Sequence, residues 1–139
     1  SPFTLNLSEV IRIDPITREV RHNSLSIEAR YFDLAIGPTT LYAADPMNGV
    51  VAFIDPTTLD VSNTFVLNSS GHASGLAFDG RSVWVAEPDV HAIARVDQLG
   101  YVDEFPINDV TSTPTGVLFD GSSVWISNGG TNTVQRYTP

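Results

Sequence analysis

Apolar and polar positions along this chain fall into short runs that recur. The clearest run is Ser74-Gly75-Leu76-Ala77-Phe78-Asp79-Gly80-Arg81-Ser82-Val83-Trp84-Val85-Ala86. It returns almost residue for residue as Thr115-Gly116-Val117-Leu118-Phe119-Asp120-Gly121-Ser122-Ser123-Val124-Trp125-Ile126-Ser127. Each copy reads as an apolar strand, a turn at Asp79-Gly80 or Asp120-Gly121, and a second apolar strand. Asp-Gly between apolar runs is a strong hairpin signal, because it supplies the turn geometry that strand twist favours.

Other markers share one period. The aromatics Tyr42, Trp84 and Trp125 lie 42 and 41 positions apart, and Ile13-Asp14, Ile54-Asp55, Val96-Asp97 and Tyr137-Thr138 follow at 41, 42 and 41. Four strands, A to D, fit each period. The first clear unit has A at about Tyr31 to Ile36, B at Leu41 to Ala44, C at Val50 to Ile54 and D at Val61 to Leu67. The next has A at Gly75 to Phe78, B at Val83 to Ala86, C at Ala92 to Val96 and D at Tyr101 to Ile107. The last has A at Gly116 to Phe119, B at Val124 to Ser127 and C at Thr133 to Tyr137, and lacks D. Before these, Val10 to Ile13 is a C strand, Glu19 to Ile27 contains a D strand, and Ser1 to Leu7 supplies part of a B strand. No window sustains the 3.6-residue apolar period of a helix, and Pro and Gly recur too often for one.

Four strands in a period of about 40 residues define a blade, so the expected fold is an all-β propeller of four-stranded antiparallel blades. A lines the axis, A and B are covered on both faces, and D is the outer edge. The expected organisation is a single propeller segment over 1–139: partial blade 1–27, blade 31–67, blade 74–107 and partial blade 115–139. That is about 3.5 blades, where closed propellers have about four to eight. It corresponds to half of a seven-bladed ring or to a fragment of a larger propeller. Apolar blade faces left open at the two ends call for a partner, either a second propeller half or self-association. Tyr42, Trp84 and Trp125, in mid-strand, are expected to pack blade against blade.

Composition narrows the function classes. The chain has 139 residues, 42% apolar and 17% charged, with formal charge -9; all seven basic residues are Arg and there is no Cys. The acidic balance argues against a nucleic-acid partner, and no apolar run is long enough for a membrane helix. Without Cys, disulfides, thiolate chemistry and thiolate-held metals are excluded. Ser1 to Leu5 lacks the basic flank and long apolar run of a signal peptide. The Lys-free acidic surface and the acceptor triplets Asn6-Leu7-Ser8 and Asn68-Ser69-Ser70 suit an extracellular or periplasmic protein.

Candidate chemistry gathers on the rim formed by the D-to-A and B-to-C loops, where strands fix residues but leave them accessible. The candidate binding residues there are Asp45, Asn48, Asn68, Asp89, Asn128 and Asn132. Beside them stand His72, Glu87 and His91, a set able to act as a general base with acids or to hold a magnesium or calcium ion through hard oxygen ligands. On the opposite rim, Asp79 and Asp120 are expected to cap their own turns. No nucleophile elbow, zinc signature, phosphate-binding glycine loop or EF-hand pattern occurs.

The stretch Pro114 to Asn128, followed by Asn132-Thr133-Val134-Gln135-Arg136-Tyr137, resembles the repeat of bacterial propellers of the streptogramin (virginiamycin B) lyase and NHL-like group. So does Gly75 through Ile107, with Trp84-Val85-Ala86-Glu87 and Val102-Asp103-Glu104-Phe105-Pro106-Ile107 as successive strands. For the lyases, the resemblance implies a seven-bladed ring, magnesium, a His base and ring opening by elimination, with Glu87 placed where a family acid would stand. The residues themselves point first to a non-catalytic binding or scaffolding module that presents an acidic rim to a protein or carbohydrate. A metal-assisted lyase and a structural subunit of an extracellular assembly are the alternatives.

Overall fold

The computed structural model describes residues 9–24, 29–68, 72–107 and 109–139. Among them there is no α-helix; one three-residue 3-10 turn, Pro88–Val90, interrupts an otherwise all-β chain. The strands are β1 (Glu9–Ile13), β2 (Val20–Ser24), β3 (Asp33–Ile36), β4 (Leu41–Asp45), β5 (Val50–Ile54), β6 (Val61–Val66) and β7 (Leu76–Phe78). They continue as β8 (Ser82–Glu87), β9 (Ala92–Asp97), β10 (Val102–Pro106), β11 (Pro114–Phe119), β12 (Val124–Asn128) and β13 (Thr133–Tyr137).

Strands pair antiparallel with their neighbours in sequence and form four sheets: β1-β2, β3 to β6, β7 to β10, and β11 to β13. The second and third sheets are four-stranded units, and the fourth has three strands among the described residues. Glu19 to Ile27 does contain a strand, β2, whereas residues 25–28 and the partial strand expected at Ser1 to Leu7 lie outside the described residues.

The turns repeat because the same side chain builds them each time. After β1, Asp14 Oδ1 accepts the amides of Ile16 and Thr17 at 2.8 and 2.9 Å. After β5, Asp55 Oδ1 does the same for Thr57 and Thr58, and after β9, Asp97 Oδ1 accepts Leu99 and Tyr101. Each turn then needs one left-handed residue: Arg18 and Leu59 stand four positions after their Asp, and Gly100 three positions after Asp97 in a turn one residue shorter. Gly100 is obligatory for a second reason: a Cβ there would lie 1.8 Å from Cε1 of Phe65, which packs across from the second sheet.

Each sheet buries a face on the next. Val10 of the first sheet meets Ala43, Ala52 and Ile54 of the second. Tyr42, Val51 and Phe53 of the second meet Leu76, Val83, Val85 and Val96 of the third. Trp84, Ala86 and Ile93 of the third meet Val124 and Ile126 of the fourth. The inner strands β3, β7 and β11 lie side by side. They are joined by Leu76 N donating to Asp33 Oδ2 at 2.8 Å and Ser74 Oγ donating to the Thr115 carbonyl at 3.1 Å. The strand next to the inner one is the most covered, β8 being buried throughout, while outer β6 is largely exposed. This is the stacking of propeller blades around an axis.

The two end faces remain open. Ile11, Ile13 and Val20 are 53, 63 and 55% exposed on the first sheet, and Leu118 and Val134 are 63 and 67% exposed on the fourth.

Candidate functional site

On the rim, His72 Nδ1 meets the Asp89 carboxylate, and both side chains are about half exposed. Asp89 sits in the 3-10 turn that Pro88 begins and His91 closes, with His91 in the left-handed region at φ 54°. The His91 ring places Nδ1 against the Ser112 carbonyl, while its own carbonyl accepts the Ile107 amide at 2.8 Å. Asp109 is held below the ordinary carboxylate value first by the Thr111 hydroxyl and amide, with a smaller contribution from the His91 charge. The two imidazoles, on one rim, are therefore engaged with different partners. Glu87, the last residue of β8, is completely buried.

Asp45, Glu87 and Asn128 occupy one repeat position, the last residue of the second strand of each sheet, at intervals of 42 and 41. All three are buried. Two of them visibly build loops. Asp45 accepts the amides of Met47 and Asn48 and the Asn48 side-chain amide, the last at 2.7 Å. Asn128 Oδ1 accepts the Thr113 amide at 2.7 Å, and its Nδ2 donates to Ser112 Oγ at 2.6 Å, pinning the 109–113 loop. Near Asp45, the Tyr31 hydroxyl is pushed up first by burial and then by the Asp45 charge.

Gly49, His91 and Asn132 form a second equivalent set, each with positive φ just before the third strand. Asn and His are among the side chains that tolerate this region best. Asn132 is exposed, and Asn68 donates from Nδ2 to the Val102 carbonyl at 3.2 Å, tying the second sheet to the outer strand of the third. Among the described residues no group of three His, Asp or Glu side chains is arranged to hold a metal ion.

The opposite rim carries a bond that turn chemistry alone does not suggest. Asp79 Oδ1 accepts the Arg81 and Ser82 amides, and its Oδ2 accepts the Trp84 indole N–H at 2.7 Å. Asp120 repeats this with the amides of Ser122 and Ser123 and the Trp125 indole at 2.6 Å. Burial raises Asp79, but the Trp84, Ser82 and Arg81 bonds and the Arg95 charge bring it below the ordinary value. The Trp125 indole and the Ser123 and Ser122 amides hold Asp120 lower still. The five-residue Asp-to-Trp spacing is the sequence signal for both. In the second sheet Tyr42 stands for Trp, and Gly37 for Asp; a Cβ at Gly37 would come within 3.1 Å of the Tyr42 ring. Tyr42 and Trp84 are buried, Tyr42 stacking on Phe78 and Trp84 on Phe105, whereas Trp125 faces the open side of the fourth sheet.

The fold is that of a β-propeller segment. Among solved structures, virginiamycin B lyase from Staphylococcus aureus superposes with a TM-score of 0.78 at 18% identity, over 94% of this chain and 48% of its own. A catalytically inactive variant of that lyase, solved with quinupristin, gives the same figures. BamB from Moraxella catarrhalis superposes at 0.76 with 10% identity, over 94% of this chain and 38% of its own. The chain thus spans less than half the length of these propellers. No family model matches the sequence, and no curated protein does.

Proposed function

We propose that this chain is a non-catalytic propeller segment that binds or scaffolds, presenting its acidic loop rim to a protein or carbohydrate, and that another chain or copy completes it. The observation that supports this reading is the repeat equivalence on the rim. Asp45, Glu87 and Asn128 share one buried position, and His91 shares its left-handed position with Gly49 and Asn132. These are positions the repeat uses to build loops, and they hold Asp89, Asp109 and Asn132 on a preorganised, exposed crest. The rim is thereby suited to docking through many fixed polar groups.

A metal-assisted lyase is the second reading, favoured by the half-exposed His72–Asp89 pair, Asp89 standing two residues after Glu87. Thermal unfolding separates the two. A divalent ion at about 100 times its Kd adds about 2.7 kcal/mol to stability, which raises Tm by several degrees in a domain of this size. The binding module predicts an unchanged Tm in millimolar magnesium, calcium or manganese. A rise of several degrees that His72→Ala abolishes would establish the lyase reading instead.

A further inference from the structure

The outer strands of the first three sheets differ in how they guard their open edge. An edge strand offers N–H and C=O groups to any other strand, and proteins blunt it with charges or proline. β2 carries Arg21 and His22, and β10 carries Asp103, Glu104 and Pro106. β6 reads Val61-Ser62-Asn63-Thr64-Phe65-Val66, with neither a charge nor a proline, and is rich in the strand formers Val, Thr and Phe. All of its residues except Phe65 are exposed.

Antiparallel alternation fixes which backbone groups of β6 face outward. Leu67 N donates to the Gly49 carbonyl at 3.0 Å, which makes Phe65 with Val51 and Asn63 with Phe53 bonded pairs as well. Thr64 and Val66, set between them, turn their N–H and C=O to the open side. The Thr64 amide rests on the side chain of its neighbour Asn63 at 3.2 Å, an exposed and displaceable acceptor. A bulge at Ser62, whose Oγ donates to the Phe53 carbonyl at 3.0 Å, bends the start of the strand and leaves 63–66 as its regular part.

We infer that β6 pairs antiparallel with β6 of a second copy of this chain across a two-fold axis. Charge decides the occupant. With a net charge of -9 two copies repel each other, and the uncharged run 61–68 is an edge on which they can close. Like charges set opposite each other destabilise strand pairing. β10 against its copy would bring Asp103 and Glu104 together with their own kind, whereas β6 against its copy meets uncharged side chains alone. The edge is also self-complementary, since Thr64 and Val66 of each copy offer the donors and acceptors that those of the other require. Such an isologous contact closes at two chains, and its backbone bonds are those of strand addition. The contact lies on the outer edge of a four-stranded sheet, away from both end faces and from the loop rim, so it stands independently of the function proposed above.

The test is amide hydrogen exchange of the intact chain, read residue by residue by NMR at micromolar and millimolar concentration, with added salt to screen the net charge. The Thr64 and Val66 amides should slow by at least about fivefold at the higher concentration, while Phe65, already bonded to β5, should not change. Thr64→Glu sets a carboxylate on the shared edge, and Thr64→Pro removes the outward donor without costing a bond to β5. Each should abolish the slowing at Val66. A Val66 amide whose exchange ignores concentration, or a slowing that persists in both variants, would overturn the proposal. Slowing confined to the first and fourth sheets would report association through the end faces and overturn it equally. Failure of the rim reading shows separately, as metal-dependent stability with the Val66 response intact.

Discussion

His91 shows how one side chain can look chemical in sequence and architectural in space. Its φ of 54° lies in the same left-handed region as Gly49 at 61° and Asn132 at 53° in the neighbouring repeats, so His91→Gly replaces it with a residue the repeat already uses there. We expect His91→Gly to change stability by less than about 1 kcal/mol, the gain at positive φ offsetting glycine's chain entropy. His91→Val, β-branched at the same φ, should cost more; urea midpoints of both variants check this. Asp79 and Asp120 give a second expectation. Their folded-state values lie below the ordinary carboxylate value of about 3.9, so their stabilising bonds are fully present above that pH and are lost as the pH falls through the lowered folded values. The urea midpoint, read by Trp fluorescence, should fall between about pH 4 and pH 2, and Asp79→Asn should both lower it at pH 7 and flatten that fall. The Asp-to-Trp bond escaped sequence reading because capping and packing each explained one partner alone; the shared five-residue spacing was visible, but a spacing does not say which oxygen remains for the indole.

At the level of strands and sheets, the repeat was legible because each element carries its own local signal: Asp-Gly or Asp-Pro turns, continuous apolar second strands, mixed outer strands. What was not legible is how sheets touch. Gly75 reads as a strand glycine, yet a Cβ there would lie 2.3 Å from the Thr115 carbonyl oxygen and 2.9 Å from Gly116 Cα, because β7 and β11 converge near the axis. Gly80 has φ +98° and open space around its missing Cβ. Gly75→Ala should therefore cost about 2–3 kcal/mol as backbone is forced apart, and Gly80→Ala about 1–2 kcal/mol of conformational strain alone. Equilibrium denaturation of the two variants tests the order. The same blindness applies to Asp45, Glu87 and Asn128: three different residue types conceal one shared position until the sheets are superimposed.

For the whole molecule, we propose that the apolar faces exposed at the two ends govern association in solution. Ile11 and Ile13 stand where Ala52 and Ile54 are covered in the second sheet, and Leu118 and Val134 where Ala77 and Ile93 are covered in the third. Sedimentation velocity over a hundredfold concentration range should show association, and Leu118→Glu with Val134→Glu should suppress it, since exposed apolar patches of this kind are interaction surfaces. A concentration-independent monomer would contradict the expectation.

The serial stacking described above carries one more consequence. Because every sheet leans only on the one before and the one after, cohesion grows by addition, as in a one-dimensional array of coupled units. Splicing a duplicate of the third sheet ahead of the fourth would juxtapose Trp84 with Val83 and Val85, the counterparts of Val124 and Ile126 that it already meets. Such a lengthened polypeptide gains one internal junction and keeps both termini unchanged, so the molecule behaves less like a sealed globule than like a stack that can be extended by whole units.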